Sequence, residues 1–151
     1  MRKHRIRLLW VGKTREAYLK KGVDDYLERL APYADVEVVE IKEEKGASGG
    51  ISPEGLLREG RRIIGRSGGY VLLDERGRKM TSSELADFLR QRPSVDFVLG
   101  GAYGVSDEVR ANARDTISLS SMTLTHEMAR LLFTEQLYRA CTIISGMRYH
   151  H

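Results

Sequence analysis

Short apolar runs alternate with helix-spaced segments along almost the whole chain, and this alternation restricts the possible folds. Ile6-Arg7-Leu8-Leu9-Trp10-Val11 reads as a strand ending at Gly12. From Glu16 to Leu30, the residues Ala17, Tyr18, Val23, Tyr26, Leu27 and Leu30 fall near helical spacing, and Pro32 stops the run. Val36, Val38 and Ile41, set against Glu37 and Glu40, predict a strand with one exposed face. Ser52-Pro53-Glu54 has the form of a helix start, with Ser at the N-cap and Pro at the first helical position. That helix runs to about Arg66 and stops at Gly68-Gly69. Tyr70 to Leu73 is a further strand, and Thr81-Ser82-Ser83-Glu84 fits a capping box for a helix through about Gln91. Phe97-Val98-Leu99 is a strand, Ser106 to Ala113 a short helix, and Ile117 with Leu119 a last strand. His126 to Ala140 is a long amphipathic helix. Strands alternating with helices predict an α/β domain with a largely parallel sheet and helices on both faces. Ligands on such sheets collect at the carboxyl ends of the strands, here near Leu73, Gly100 and Leu119.

With 151 residues the chain is expected to form one domain, 1–151. Hydrophobic residues at 41% supply a core without disulfide or metal support. The single cysteine, Cys141, excludes an intrachain disulfide and a multi-cysteine zinc site, and its apolar neighbours predict a buried thiol. Lys plus Arg less Asp plus Glu is 25 − 21 = +4, which suits a nucleic-acid or phosphate-bearing partner without requiring one. The apolar run at 6–11 is interrupted by Arg7, and no segment reaches about 18 apolar residues, so neither a signal core nor a membrane span is predicted. A cytoplasmic location follows as the expectation. Residues 43–52, EEKGASGGIS, are expected to form a mobile loop.

Two segments could carry chemistry. In Phe97-Val98-Leu99-Gly100-Gly101-Ala102-Tyr103-Gly104, glycines at a strand end let a ligand approach the backbone, whose N–H groups can hold a carboxylate, phosphate or ribose hydroxyl. The same residues also make a tight turn with no ligand. The G-G-x-x-G spacing is not the dinucleotide fingerprint. In the segment from Ile117 to His126, five hydroxyl residues interleave with apolar ones. It reads either as a half-buried strand with Thr125 as N-cap, or as a loop whose Leu119, Met122 and Leu124 wall a flat ring. His126 can serve as acid, base or anchor, or simply be structural. Arg130 and Arg139, with Glu135 and Tyr138 between them, suit either anion contact or a solvated salt-bridged face. The tail Arg148-Tyr149-His150-His151 combines cation, ring and imidazoles, a set suited to RNA phosphates and bases or to a frayed end. No hydrolase elbow, H-E-x-x-H helix or Walker loop is present, and His150-His151 lacks a third metal ligand.

Taken in order, these pieces resemble the RlmH family of SPOUT-class methyltransferases over nearly the whole chain. The likeness rests on Leu9-Trp10-Val11-Gly12-Lys13, on Leu73-Asp74-Glu75-Arg76-Gly77-Arg78, and on Leu99-Gly100-Gly101-Ala102-Tyr103-Gly104. It continues through Leu119-Ser120-Ser121-Met122-Thr123-Leu124-Thr125-His126, Arg130, Glu135-Gln136-Leu137-Tyr138-Arg139-Ala140 and Tyr149-His150. Thr125 stands where members often have Pro, and Ala102 where they often have Pro or Ser.

The resemblance implies a SPOUT-type parallel sheet with a deep trefoil knot over about 70–151, a rare exception to the rule against threaded chains. It implies S-adenosylmethionine as cofactor, held by Leu73, Gly100, Gly101, Gly104, Leu119, Ser120, Ser121, Met122, Thr123 and Leu124. It implies a homodimer, with the helix from His126 as the contact, and methyl transfer to N3 of a pseudouridine in 23S rRNA on the assembled ribosome. N3 must lose a proton, which calls for a base or for stabilisation of an anion. The resulting candidates are His126, Arg130, Tyr149 and His150 for catalysis, and Arg139 and Arg148 for RNA contact; no metal or membrane is implied. The alternatives are a SPOUT enzyme acting at another RNA position and a non-catalytic ribosome-docking module.

Overall fold

The side chains of the first strand point into two separate cores. Ile6, Leu8 and Trp10 join one apolar cluster, whereas Leu9 and Val11 join another. A strand buried on both faces belongs in the middle of a parallel sheet covered by helices. The computed structural model describes residues 3–45 and 49–151. Its strands are β1 (His4–Val11), β2 (Ala34–Ile41), β3 (Val71–Lys79), β4 (Ser94–Leu99) and β5 (Asp115–Ser118). They form one sheet in the order β2-β1-β4-β3-β5, with every neighbouring pair parallel.

The helices are α1 (Ala17–Leu30), α2 (Pro53–Arg66), α3 (Ser82–Arg90), α4 (Asp107–Asn112) and α5 (His126–Ser145). Val23 and Leu30 of α1, Leu85 and Leu89 of α3, and Phe133 and Leu137 of α5 fill one core. There Phe97 meets Phe133 edge to face at 4.8 Å. Ile63 of α2 and Val109 of α4 fill the other core. The helix starts read from the sequence are present: Ser52 accepts from the Gly55 N–H, Ser106 from Val109 and Thr125 from Met128, and Thr81 with Glu84 forms a complete capping box. Cys141 is buried, and burial pushes its thiol up to about 11, which removes it as a nucleophile at neutral pH. Among the described residues, no helix is long and apolar enough to cross a membrane.

Several strands start two or three residues earlier than the sequence reading, and three further differences bear on the site. The α5 helix continues past Ala140 to Ser145 and ends at the left-handed Gly146. The β-branched run Thr142-Ile143-Ile144 has modest helix propensity, but Thr142 is buried and its hydroxyl donates to the Arg139 carbonyl, so packing overrides it. The β5 strand stops at Ser118, so Leu119 opens a loop. The largest difference is in β3, which runs on through charged residues to Lys79. Ile117 of β5 pairs with both Leu73 and Arg78, so residues 74–77 leave the ladder and bulge outward. Gly77 is required there, because a Cβ would lie 2.7 Å from the Ile117 backbone. The expected mobility of 43–52 falls partly on 46–48, outside the described residues. Ahead of them, the Glu44 N–H donates to Glu59 and its carboxylate accepts from Arg58 and Arg62.

Candidate active site

The carboxyl ends of β1, β3, β4 and β5 all open at one edge of the sheet, and a cavity of about 940 Å³ lies there. Its floor is the turn after β4. The Gly104 N–H donates to the Gly101 carbonyl at 3.1 Å, and Gly104 sits at φ +77°, a conformation that a side chain would strain. Leu73, Leu99, Leu119 and Leu124 supply apolar walls, and Met122, 77% exposed, stands at the opening. The outward bulge of β3 carries Asp74, Glu75 and Arg76 to the same space. Asp74 accepts from the Arg76 N–H and from Arg110 Nε at 3.1 Å, and Thr123 Oγ1 donates to Glu75 at 3.2 Å, tying the β3 bulge to the loop after β5. Within that loop, Ser120 Oγ accepts from the Met122 N–H.

Of the residues singled out in the sequence, Leu73, Gly100, Gly101, Gly104, Leu119, Ser120, Met122, Thr123, Leu124 and His126 line the cavity. Ser121 is exposed and does not. The sequence reading missed Glu16, Tyr18, Leu19, Arg110 and Glu127 as wall residues. Only Glu127 carried a local signal, its position next to His126.

Arg130 does not reach the cavity. It is 0% exposed, donates to the Val11, Gly12 and Thr14 oxygens at 2.6, 3.3 and 3.0 Å, and lies 4.9 Å from the Trp10 ring. Burial lowers its pKa to about 10, still high enough to keep it charged at neutral pH. In this chain it binds the carbonyls at the end of β1 and lies outside the residues that line the cavity. Glu127 performs the complementary task. Glu16, the N-cap of α1, makes no side-chain cap, and Glu127 accepts the N–H groups of Arg15 and Glu16 at 2.8 and 2.9 Å. Burial opposes ionisation of Glu127, but those donors, with His126 and Arg130, hold its pKa below the ordinary carboxylate value. His126 Nε2 lies 3.8 Å from Glu127. Burial and Arg130 lower the His126 pKa, against the opposing pull of Glu127, so the ring is neutral at physiological pH.

The remaining candidates assemble elsewhere. Arg139 pairs with Glu135 at 2.6 Å and meets His150 Nδ1 at 3.1 Å, while the Tyr149 hydroxyl donates to Glu135 at 3.1 Å. Tyr149 packs on Tyr138 at 4.7 Å, Arg139 lies over the Tyr149 ring, and Arg148 is exposed. Thirteen helical residues separate His126 from Arg139, about 20 Å along α5. One copy therefore does not bring this cluster to its own cavity. Among the described residues, no three His, Cys, Asp or Glu side chains group to hold a metal.

A family model described as "Predicted SPOUT methyltransferase" matches residues 4–150. The ribosomal RNA large subunit methyltransferase H of Geobacter sp. (strain M21) is 47% identical over 152 residues, covering 97% of this chain and 99% of that protein. The protein of the same name from Thermodesulfovibrio yellowstonii is 41% identical over 149 residues, covering 98% and 99%. Among solved structures, the tRNA (m1G37) methyltransferase of Aquifex aeolicus superposes with a TM-score of 0.54 at 17% identity, covering 91% of this chain and 69% of that one, a likeness of fold alone. A parallel sheet with its cavity at the strand ends, matched by the family model across almost its full length, shows that the chain belongs to the SPOUT methyltransferase family.

Proposed function

We propose that this protein transfers a methyl group from S-adenosylmethionine to N3 of a pseudouridine in 23S rRNA, on the assembled ribosome, as a cytoplasmic homodimer. The observation that carries this reading is a cavity built from the loops after β3, β4 and β5 in a chain whose near full-length relatives are named ribosomal RNA large subunit methyltransferase H.

The residues present fit such a donor. Four carboxylates, Glu16, Asp74, Glu75 and Glu127, line the cavity against two guanidinium groups, Arg76 and Arg110, which favours a cationic ligand. Leu73, Leu119, Met122 and Leu124 would enclose its flat part. Gly100, Gly101, Gly104, Ser120 and Thr123 would offer backbone and hydroxyl groups, and Ser121 would contribute only through its place in the loop. S-adenosylmethionine supplies an electrophilic methyl on a sulfonium. The protein's task is then alignment and proton removal. We assign acceptance of the proton that N3 releases to neutral His126.

Tyr149, His150, Arg139 and Arg148 lie too far along α5 to act within their own copy, so we assign them to the cavity of a second copy. The cations there would contact RNA phosphates. We also assign residues from about 70 onward to the family's trefoil knot. An experimental chain trace in which the loop after β5 passes outside the preceding loops would reject the knot.

The test is transfer from labelled S-adenosylmethionine to ribosomes from cells lacking this gene, with separate subunits and free rRNA alongside. Methylated pseudouridine formed only on assembled ribosomes is the expected product. Methylation at another nucleoside would make the protein a SPOUT enzyme of a different RNA position. Failure to bind the donor, with ribosome binding intact, would leave a docking module.

A further inference from the structure

Tyr18 lines the cavity, yet it is 67% exposed and makes no hydrogen bond or ring contact among the described residues. A ring left in water contributes little to the fold, because the gain from an aromatic side chain comes from burying it. In the sheet, β1 leads to α1 and lies on one side of β4, whereas β3 and β5 lie on the other. The loops assigned to the methyl donor therefore form one wall, and Glu16, Tyr18 and Leu19 form another across the glycine turn. Glu127 links this second wall to the chemistry, because it holds the Arg15 and Glu16 N–H groups and directly follows His126. Lys13 and Lys21, near Tyr18 in sequence, are exposed and have no ion pair among the described residues. Unpaired RNA bases are commonly recognised by stacking on aromatic side chains flanked by cations.

We propose that Tyr18 is the platform on which the target base stacks inside the cavity, kept in register with His126 by Glu127. This rests on the RNA methyltransferase reading above. In the intact protein, Tyr18→Ala is expected to raise KM for ribosomes about tenfold, the loss of one stacked base. Its affinity for S-adenosylmethionine and its sedimentation should match the unaltered protein. Tyr18→Trp should restore KM, and its fluorescence should be quenched on binding assembled ribosomes from cells lacking this gene, with the same ribosomes mixed with unaltered protein, buried Trp10 included, as the blank. Unchanged KM in Tyr18→Ala, or no quenching in Tyr18→Trp, overturns the proposal. A parallel fall in donor affinity would make Tyr18 part of the donor wall, and dissociation into monomers would make it a contact between copies; either result also overturns it. The quenching experiment needs no turnover. Absence of methyl transfer by the unaltered protein, with quenching intact, would reject the enzyme reading alone.

Discussion

The two ends of α5 carry similar polar residues but use them differently. At the first turn, Glu127 and Arg130 are buried and bound to the backbone between β1 and α1, with Glu127 on N–H groups and Arg130 on carbonyls. In the second half of α5, half-buried Glu135 and Arg139 bind one another and the tail residues Tyr149 and His150. Arg130 spends its two terminal nitrogens on the Val11 and Gly12 carbonyls and the Thr14 hydroxyl, and Glu127 spends Oε1 on two N–H groups, so removing either charge leaves buried partners unsatisfied. Side chains that pair with one another rather than with backbone can exchange those partners for a ligand without stranding a backbone group. On our assignment, Glu127 and Arg130 are framework for the cavity wall, and the far cluster makes contact outside its own copy.

The strongest way to break this contrast is Arg130→Ala. It would leave the Val11 and Gly12 carbonyls and Thr14 without their donor, and empties space beside Trp10. We expect a loss of about 3 kcal/mol, read as a melting temperature lower by roughly 10 °C. Arg139→Ala, by contrast, should change stability by under about 1 kcal/mol. A melting temperature that falls equally in both would remove the distinction.

Next in size is His126→Asn, which should lower kcat by about a hundredfold while leaving the fold intact. In the unaltered protein, the lowered His126 pKa keeps the ring in its proton-accepting form as pH falls, so the acid limb of kcat/KM should lie below 6.5, the ordinary value for histidine. Glu127→Gln removes a charge that raises that pKa, and should move the limb further down. A limb at or above 6.5, or a shift in the opposite direction, would remove His126 as the base.

Complementation sharpens the contrast further. If the far end of α5 serves a second copy, mixing inactive Arg139→Ala and His126→Asn proteins should restore about a quarter of the wild-type activity, one intact site in each mixed dimer. No recovery after verified subunit exchange would mean that each site takes both residues from one copy. The smallest effect concerns the helix start. Thr125→Ala removes the hydroxyl that accepts the Met128 N–H and should cost about 1 kcal/mol by denaturant unfolding, with donor affinity nearly unchanged.

Much of this architecture was legible in the residues themselves. The period of apolar positions marked strands and helices, and the caps at Ser52, Thr81, Ser106 and Thr125 were readable because capping is a contact across three residues. The glycine turn and the 119–124 loop were also found, since both follow strands at the edge where ligands bind. The site's other wall was not. Tyr18 reads as one more apolar position on α1, and only the order β1-β4-β3 places its helix beside the glycine turn. The continuation of β3 through charged residues was hidden for a related reason, since its resumption after 74–77 depends on pairing Arg78 with Ile117 and Lys79 with Ser118, far apart in the chain.

Arg130 marks the boundary between the two kinds of information. Its charge and its place on a helix were plain in the sequence, and both suggested contact with an anion. Which oxygens it meets depends on Val11 and Gly12, more than a hundred residues earlier, lying under the first turn of α5. Sequence determined the elements, their caps and the chemical types on offer, because those follow from neighbours along the chain. Tertiary structure alone decided which polar groups are consumed by the backbone and which remain for substrate, because that depends on which distant atoms are brought within hydrogen-bonding range.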